Sequence, residues 1–250
     1  DACTTGGNNN ALGKDALGAL TTGSYNNAFG VSALAAATTQ AASNAFGHNA
    51  LDVATTGQHN NAFGAEALGA CTTGSYNCAF GGGASNTIIG SNAGDAVTTA
   101  DANTFIGYDA GGAVNTGASN TAVGYGALNT STTGTQNVAV GRGSLGALTT
   151  AGYNTAVGYD SGRQVTTGTG NTFLGFQAGD NVNTGINNTA LGSYALDACT
   201  TGGQNVAIGR RPLDACTTGG YNIGIGTNTL GTLTTASYNT AVGNSAGAVL

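Results

Sequence analysis

The chain has 250 residues with a net charge of −6, 45 glycines, one proline and only 6% charged residues. Ordinary globular domains carry about a quarter of charged residues, whereas disordered chains combine low hydrophobicity with high net charge, so the composition is typical of neither. The few basic residues form no stripe for phosphates, which argues against a nucleic-acid partner, and no apolar run approaches the roughly 18 residues that cross a bilayer.

The chain is a repeat array that divides into three predicted parts. Residues 1–81 form a first block, whose closing glycines recur every 17 residues from Gly13 to Gly81. Residues 82–90 are a truncated unit of nine, and residues 91–250 form a second block with the longer period restored. A fixed short period marks a stacked array in which each unit contacts its neighbours. The chain begins within a repeat, so we expect it to be a piece of a longer protein.

Each unit ends in a short apolar phrase, and we number its positions from the closing glycine as zero. Position −4 is Asn in 14 of 15 units, with Ser43 as the exception, position −2 is mostly Ala, and position −1 is always apolar. Neighbouring strand residues point to opposite faces, so this strand must be covered on both sides. One face of the strand is covered by the interior of its own coil, and the other face must be covered by a second surface. The glycine itself suits a positive φ or a close backbone approach.

The other half of the unit begins with two threonines at positions −9 and −8. β-branched threonine favours extended backbone, so this half is predicted to be a second short strand or a corner. If the backbone is extended there, the two threonines point to opposite sides. Further along, Gly at position +4 is followed inside the array by Val at +7, whereas Leu at +4 is mostly followed by a small residue. This pattern indicates volume compensation in a shared interior.

These features predict an all-β fold, a parallel β-solenoid or β-roll of about 15 rungs, continuous along the chain. One rung buries too few aliphatic groups to offset the entropy of ordering its residues, so stability must come from stacking. The truncated unit at 82–90 is predicted to cause an offset, a bend or a local change of packing.

Residues that could take part in catalysis or bind a metal are few, and their positions follow the repeat. Cys3, Cys71, Cys199 and Cys216 share the inward +7 phase, which predicts buried free thiols, although stacked Cys199 and Cys216 leave a disulfide open. Most aspartates fall at +2 or +5, where solvated turns are expected, and calcium at Asp197 and Asp214 is the alternative. No nucleophile is paired with a base, so we expect no enzymatic activity, no cofactor and no catalytic or metal site.

Aromatic side chains at the turns are the candidate recognition residues, since exposed tyrosines suit protein or sugar contacts. The threonine columns suggest ice binding as another possibility, for which a single outward column is the weakness. The aromatic candidates fall at position −5 or +1: Tyr25, Tyr76, Tyr108, Tyr125, Tyr153, Tyr159, Phe176, Tyr221 and Tyr238.

The phrase from Asn120 to Leu128, followed by Thr132-Thr133-Gly134, resembles the 17-residue repeats of phage tail-fibre and bacterial surface proteins. Those proteins often end in a self-cleaving chaperone domain of the endosialidase type. The core of the phrase is also similar to the head repeats of trimeric autotransporter adhesins, which are left-handed parallel β-rolls. The resemblance implies a homotrimeric fibre.

The leading hypothesis is therefore a structural fibre segment of a phage tail fibre or host-recognition appendage, on a virion surface or otherwise extracellular. It would hold a receptor-binding tip and could be adhesive itself, with a host-surface glycan or protein as partner and without membrane insertion. The alternatives are a bacterial extracellular adhesin or surface filament, and an ice-binding solenoid. Small Ala residues at −2 suggest the face on which chains approach one another.

Overall fold

The computed structural model describes residues 5–69, 78–80, 86–90, 93, 94 and 96–247, within two compact units, Asp1–Ser119 and Asn120–Leu250. The described residues contain no helix, and every strand pairs in parallel with its sequence neighbours within the unit, which confirms an all-β solenoid. The first unit contains β1 Asn10–Leu12, β2 Asn27–Phe29, β3 Asn44–Phe46, β4 Asn61–Phe63, β5 Cys78–Phe80, β6 Thr87–Ile89 and β7 Thr104–Ile106. The second contains β8 Thr121–Val123, β9 Val138–Val140, β10 Thr155–Val157, β11 Thr172–Leu174, β12 Thr189–Leu191, β13 Val206–Ile208, β14 Ile223–Ile225 and β15 Thr240–Val242.

The register places residues 17 apart in adjacent layers. Val157 of β10 pairs with Val140 of β9, and the same step relates their neighbours. The Val138 amide donates to the Asn154 carbonyl at 2.8 Å, and the Gly158 amide donates back to the Val140 carbonyl at 2.7 Å. The period therefore sets the coil, as the closing glycines predict.

The truncated unit keeps the strand register. Ala79 of β5 pairs with Ile88 of β6, nine residues later, in the same parallel sense as the other strands. The predicted offset or bend falls on residues 81–85, which lie outside the described residues.

The burial of the side chains shows which face of each strand points into the coil. Ala156 at position −2 is fully buried, whereas Val157 at −1 is only partly covered. Position −2 thus lines the interior of the coil, together with buried residues at +3, +4 and +7 such as Leu145 and Leu148. The expectation that Ala at −2 forms a face for approaching chains is wrong, because these methyl groups are enclosed by their own coil.

Large residues at position −2 are compensated by glycine at position +4, both in the same rung and in the neighbouring rung. A Cβ added to Gly111 would lie 2.7 Å from the Phe105 ring, and one added to Gly179 would lie 2.5 Å from the Phe173 ring. Gly162, one rung earlier, would meet Phe173 at 2.8 Å. Each buried phenylalanine therefore occupies space that Leu at +4 fills in other rungs.

The closing glycines are required by the backbone. Their φ angles lie between 124° and 148° in the described residues, a region that residues with a Cβ rarely adopt. In addition, a Cβ at Gly158 would lie 2.2 Å from the carbonyl oxygen of Gly175 in the next rung.

Position −4 forms a largely buried, hydrogen-bonded ladder in the described rungs of each unit, and all of its members except Ser43 are asparagines. The Asn154 Oδ1 accepts the Asn171 backbone amide at 3.0 Å and the Asn171 Nδ2 at 3.1 Å, while its own Nδ2 donates to the Gly168 carbonyl at 2.9 Å. Asn171 repeats these contacts with Asn188 and Gly185. Each amide thus satisfies backbone groups that water cannot reach.

Ser43 shows how one rung does without the asparagine. Its Oγ accepts the Asn60 amide at 3.1 Å, and the Gln40 Nε2 donates to the same oxygen at 3.2 Å. Gln40 stands at position −7, which is Gly or Ala in the other rungs. Its buried Oε1 has no hydrogen-bond partner, so the replacement is imperfect.

Candidate recognition surfaces

The tyrosines at position −5 lie on the surface in a left-handed backbone conformation. Tyr25, Tyr153, Tyr221 and Tyr238 are all exposed and have φ near +60°. In the second unit Tyr221 and Tyr238 stack with ring centroids 4.8 Å apart. Tyr76 lies outside the described residues.

The aromatics at position +1 form a longer arrangement in the second unit, whereas Tyr108, which is exposed, belongs to the first. The Arg142 guanidinium lies over the Tyr125 ring at 5.7 Å and over the Tyr159 ring at 5.1 Å. The contacts continue from rung to rung. Tyr159 stacks on Phe176, the Tyr194 ring meets Phe176 edge-on, and the Arg211 guanidinium lies over the Tyr194 ring. We call these six residues the aromatic–arginine strip: Tyr125, Arg142, Tyr159, Phe176, Tyr194 and Arg211.

Sequence reasoning missed the arginines and Tyr194 in this strip. Arg142 shares position +1 with Tyr125 and Tyr159 in the rungs on either side. An arginine between two aromatic residues at the same position predicts cation–π contacts, and this signal was available in the sequence. Tyr194 and Arg211 share the adjacent +2 phase. Exposed cation–π contacts contribute about 0.5–1 kcal/mol each, so the strip favours one orientation of its exposed side chains.

An open groove of about 450 Å³ lies beside the strip in the second unit. It crosses three rungs, and beside Arg142 its middle rung contributes only Gly143, Gly146 and the small residue Ala147. We call it the glycine groove, and the residues that line it are Tyr125, Gly126, Asn129, Thr130, Arg142, Gly143, Gly146, Ala147, Asp160, Arg163 and Gln164.

The charged wall of the groove is held by a bidentate ion pair. The Arg163 Nε and Nη2 donate to the two carboxylate oxygens of Asp180 at 2.9 and 3.1 Å. This pair raises the pKa of Arg163, chiefly through the hydrogen bond. Asp160 lies 3.8 Å from the same Nε. The Arg163 Nε proton is donated to Asp180 and not to Asp160. The Asp160 carboxylate therefore lines the groove without a hydrogen bond from this Nε.

The outer sheet face consists of positions −1 and −3 of the strands. In the first unit Phe29, Phe46 and Phe63 stack with centroids 4.8 and 5.0 Å apart and nearly parallel rings. In the second unit Leu174 and Ile225 at −1 remain 45% and 37% exposed. No charged residue stands at −1 or −3 in the sequence. Position −1 is apolar and position −3 is mostly Asn or Thr. Each unit therefore presents an uncharged face with an apolar column that its own chain leaves partly uncovered.

The threonine pairs form a corner and not a second strand. Thr150 at −8 is exposed and Thr149 at −9 is half-buried, and the same holds for Thr22 and Thr21. In these rungs the inner threonine is more covered than the outer one. The Thr149 Oγ1 donates to the Thr166 carbonyl of the next rung at 3.1 Å, so the inner hydroxyl supports the stack while the outer one faces solvent.

Cys199 and Cys216 are buried free thiols in adjacent rungs. Each sulfur lies 3.5 Å from the carbonyl oxygen of a glycine three residues later. The hydrogen bond with Cys216 and burial raise the pKa of Cys199. These thiols fill the inward position as small apolar groups, as predicted, and no disulfide joins them. Cys3 and Cys71 lie outside the described residues.

The aspartates at +5 are less solvated than predicted. Asp180 is buried, and Asp197 and Asp214 are half-buried in the rungs that follow. Burial raises the pKa of Asp197, and repulsion from Asp180 and Asp214 adds to the effect, against the opposing charges of Arg211 and Arg163. Among the described residues, no group of three His, Cys, Asp or Glu side chains could hold a metal ion.

We expect Asp197→Asn to stabilise the chain at neutral pH. Since the folded-state pKa of Asp197 is raised, its contribution to stability is greatest below the ordinary value of 3.8 and is lost as the pH rises through the folded value. Urea unfolding should therefore show a higher midpoint for the variant at pH 7 and an equal one near pH 3. Asp101→Asn, at an exposed site, is the control, and an unchanged midpoint for Asp197→Asn at both pH values would contradict the expectation.

Comparison of the chain with protein-family models, curated proteins and solved structures gives no match. No helix among the described residues is long and apolar enough to span a membrane.

Proposed function

We propose that the chain is a non-enzymatic structural segment of an extracellular fibre, of the kind carried by a phage tail or another host-recognition appendage. The observation that carries the proposal is the outer sheet face, which carries no charge in either unit and whose position −1 is apolar in every strand. Exposed apolar patches of this extent mark association surfaces. In this role the segment holds a receptor-binding tip, and the turn aromatics supply contacts to a host surface.

Self-association through the outer sheet face is the central element of this function. A closed assembly of three chains would cover the apolar columns and leave the turns outside. The resemblance of the repeat phrase to tail-fibre and adhesin repeats supports the same number of chains. The partner is therefore a further copy of this chain, on a virion or cell surface.

Light scattering tests the assembly directly. We expect a mass three times the 24.0 kDa of the chain, and we expect the double variant Leu174→Lys/Ile225→Lys to reduce it to that of one chain, because lysine charges resist burial in an apolar contact. Thr167→Lys, at an exposed corner, should leave the mass unchanged. A wild-type protein that is monomeric at all concentrations would overturn the proposal.

A bacterial surface adhesin built from the same assembly is the nearest alternative, and negative-stain images separate a fibre on a virion from one on a cell. Ice binding is favoured by one further observation, since the outer threonine is exposed in both Thr21-Thr22 and Thr149-Thr150 while the inner hydroxyl is fixed to the backbone. Thermal hysteresis in solution distinguishes this alternative from a fibre.

A further inference from the structure

We propose that the glycine groove binds a neutral oligosaccharide, whose chain lies along the stacking direction across three rungs. This assignment deepens the recognition role within the proposed function by naming the ligand class and its site. The groove volume of about 450 Å³ lies within the range of small-molecule sites, about 300–1,000 Å³.

The shape of the groove comes from missing side chains. Position +2 is Gly in the rungs of Gly126 and Gly143, where Asp160 stands one rung later. A Cβ at Gly143 would lie 2.3 Å from the Asp160 Oδ1, so the carboxylate extends across the space that glycine leaves. The middle rung thus forms a floor of Gly143 and Gly146 backbone and the Ala147 methyl group, with the Asp160 carboxylate against Gly143. A flat, elongated ligand can lie against such a floor, and neighbouring strands of a sheet are about 4.8 Å apart, comparable to the length of one pyranose unit.

The polar groups of the wall match a ligand rich in hydroxyl groups. Asp160 and the oxygen of Thr130 are acceptors, since Thr130 donates its proton to the Gly146 carbonyl at 2.7 Å. The Gln164 Nε2 donates to the Asn181 Oδ1, so the Gln164 side-chain carbonyl oxygen remains available as an acceptor. Arg163 supplies donors whose geometry is fixed by Asp180. Sugar hydroxyls donate and accept at once, so they can use both kinds of partner.

Charge and apolar content argue for a neutral sugar. The guanidinium groups of Arg142 and Arg163 are balanced by the carboxylates of Asp160 and Asp180, so the groove offers no net attraction to an anion. Among its lining residues, Tyr125 and Ala147 are the two of aromatic or aliphatic type, which is little for the hydrophobic anchors of a peptide. Stacking of Arg142 between Tyr125 and Tyr159 fixes the groove edge in advance and lowers the entropy lost on binding.

Binding is measured by saturation-transfer NMR and titration with maltotriose, cellotriose and triacetylchitotriose. We expect at least one of these probes to bind the wild type. Ala147→Gln fills the groove with the residue that Gln164 already places at the same position one rung later, so the coil should tolerate it. We expect this variant to weaken binding at least tenfold, and Asp160→Asn to weaken it as well.

Ala198→Gln is the matched control, since it makes the same change at the same position two rungs beyond Gln164 and away from the groove. Equal binding by Ala147→Gln and Ala198→Gln would overturn the site, and so would the absence of binding by all three probes. Tighter binding of sialyllactose, an acidic trisaccharide, would overturn the assignment of a neutral ligand. Light scattering on the same samples reports the assembly separately, so failure of the groove is distinguishable from failure of the fibre proposal.

Discussion

Gly158→Ala is expected to lower the free energy of unfolding by about 4 kcal/mol or more, because it combines backbone strain with overpacking. The φ angle of Gly158 is 142°, and the new Cβ would lie 2.2 Å from the Gly175 carbonyl oxygen. That oxygen belongs to the backbone of the next rung, so no side-chain rotation can relieve the overlap. A loss of this size is a large fraction of the roughly 5–15 kcal/mol that stabilises a typical domain.

The effect should be cooperative along the stack, since stability in a solenoid depends on contacts between neighbouring rungs. Widening the step between the rungs of Gly158 and Gly175 also stretches the hydrogen bond from the Gly175 amide to the Val157 carbonyl, now 2.9 Å. Urea unfolding followed by circular dichroism, at a fixed protein concentration, measures the change.

Gly231→Ala provides the matched control. It is the same chemical change at position +5, where another rung carries Asp214, and its Cβ would lie 3.2 Å from the nearest atom, the Asn228 carbonyl oxygen. Its unfolding midpoint should stay close to that of the wild type. If the two variants unfold at the same urea concentration, the closing glycines are not required by the backbone approach described above.

The architecture was predictable because it depends on phase alone. Residues that share a phase share an environment, so the pairing of Val140 with Val157 follows from counting between closing glycines. Which strand face lies inside was not predictable in the same way, since Ala at −2 and Val at −1 are both apolar. Only the path of the rest of the coil shows that Ala156 is enclosed and Val157 is not.

Some local features had a signal that was read incompletely. The large residues Ile88, Phe105 and Phe173 at −2 occur in rungs with Gly at +4, which identifies the two positions as neighbours in the interior. The glycines at +4 were a further signal of this kind, because glycine adopts positive φ readily. Leu145 at +4 has φ of 49°, and Gly162 at the same position one rung later has φ of 59°. This conformation costs a leucine about 1–2 kcal/mol.

The candidate site was predictable in part. The tyrosines at +1 were identified as exposed, and Tyr125 and Tyr159 do contribute to the strip. The glycine groove was not identified, because it is defined by side chains that are absent from one rung, Gly143 and Gly146, and by partners in the rungs on either side. Arg163 reaches Asp180 across one full repeat, so its contribution to the groove depends on the register and not on local sequence.

Asn171→Ala is expected to lower the free energy of unfolding by about 3–5 kcal/mol, since it leaves two buried backbone groups without partners at about 1–3 kcal/mol each and creates a small cavity. The lost bonds are those from the Asn188 amide to Asn171 Oδ1, at 2.9 Å, and from Asn171 Nδ2 to the Gly185 carbonyl, at 2.9 Å. Water cannot replace them, because Asn171 and Asn188 are fully buried.

Asn171→Ser should fall between the wild type and Asn171→Ala, and Ser43 shows why. The Ser43 Oγ accepts the Asn60 amide, so a serine at 171 can satisfy the Asn188 amide in the same way. It cannot reach the Gly185 carbonyl, and position 168 is Gly, so no side chain equivalent to Gln40 is available. Equal unfolding midpoints for the serine and alanine variants would show that the side-chain oxygen contributes nothing.

Asn171→Asp separates hydrogen bonding from shape, because it preserves the volume of the side chain. Its carboxylate would place an oxygen against the Gly185 carbonyl and the Asn154 Oδ1, where the amide now donates at 2.9 and 3.1 Å. We therefore expect Asn171→Asp to unfold at a lower urea concentration than Asn171→Ala at pH 7, and to recover part of the difference in acid, where the carboxyl group becomes protonated and can donate one hydrogen bond. A packing role alone predicts the opposite order at pH 7, since the isosteric variant leaves no cavity.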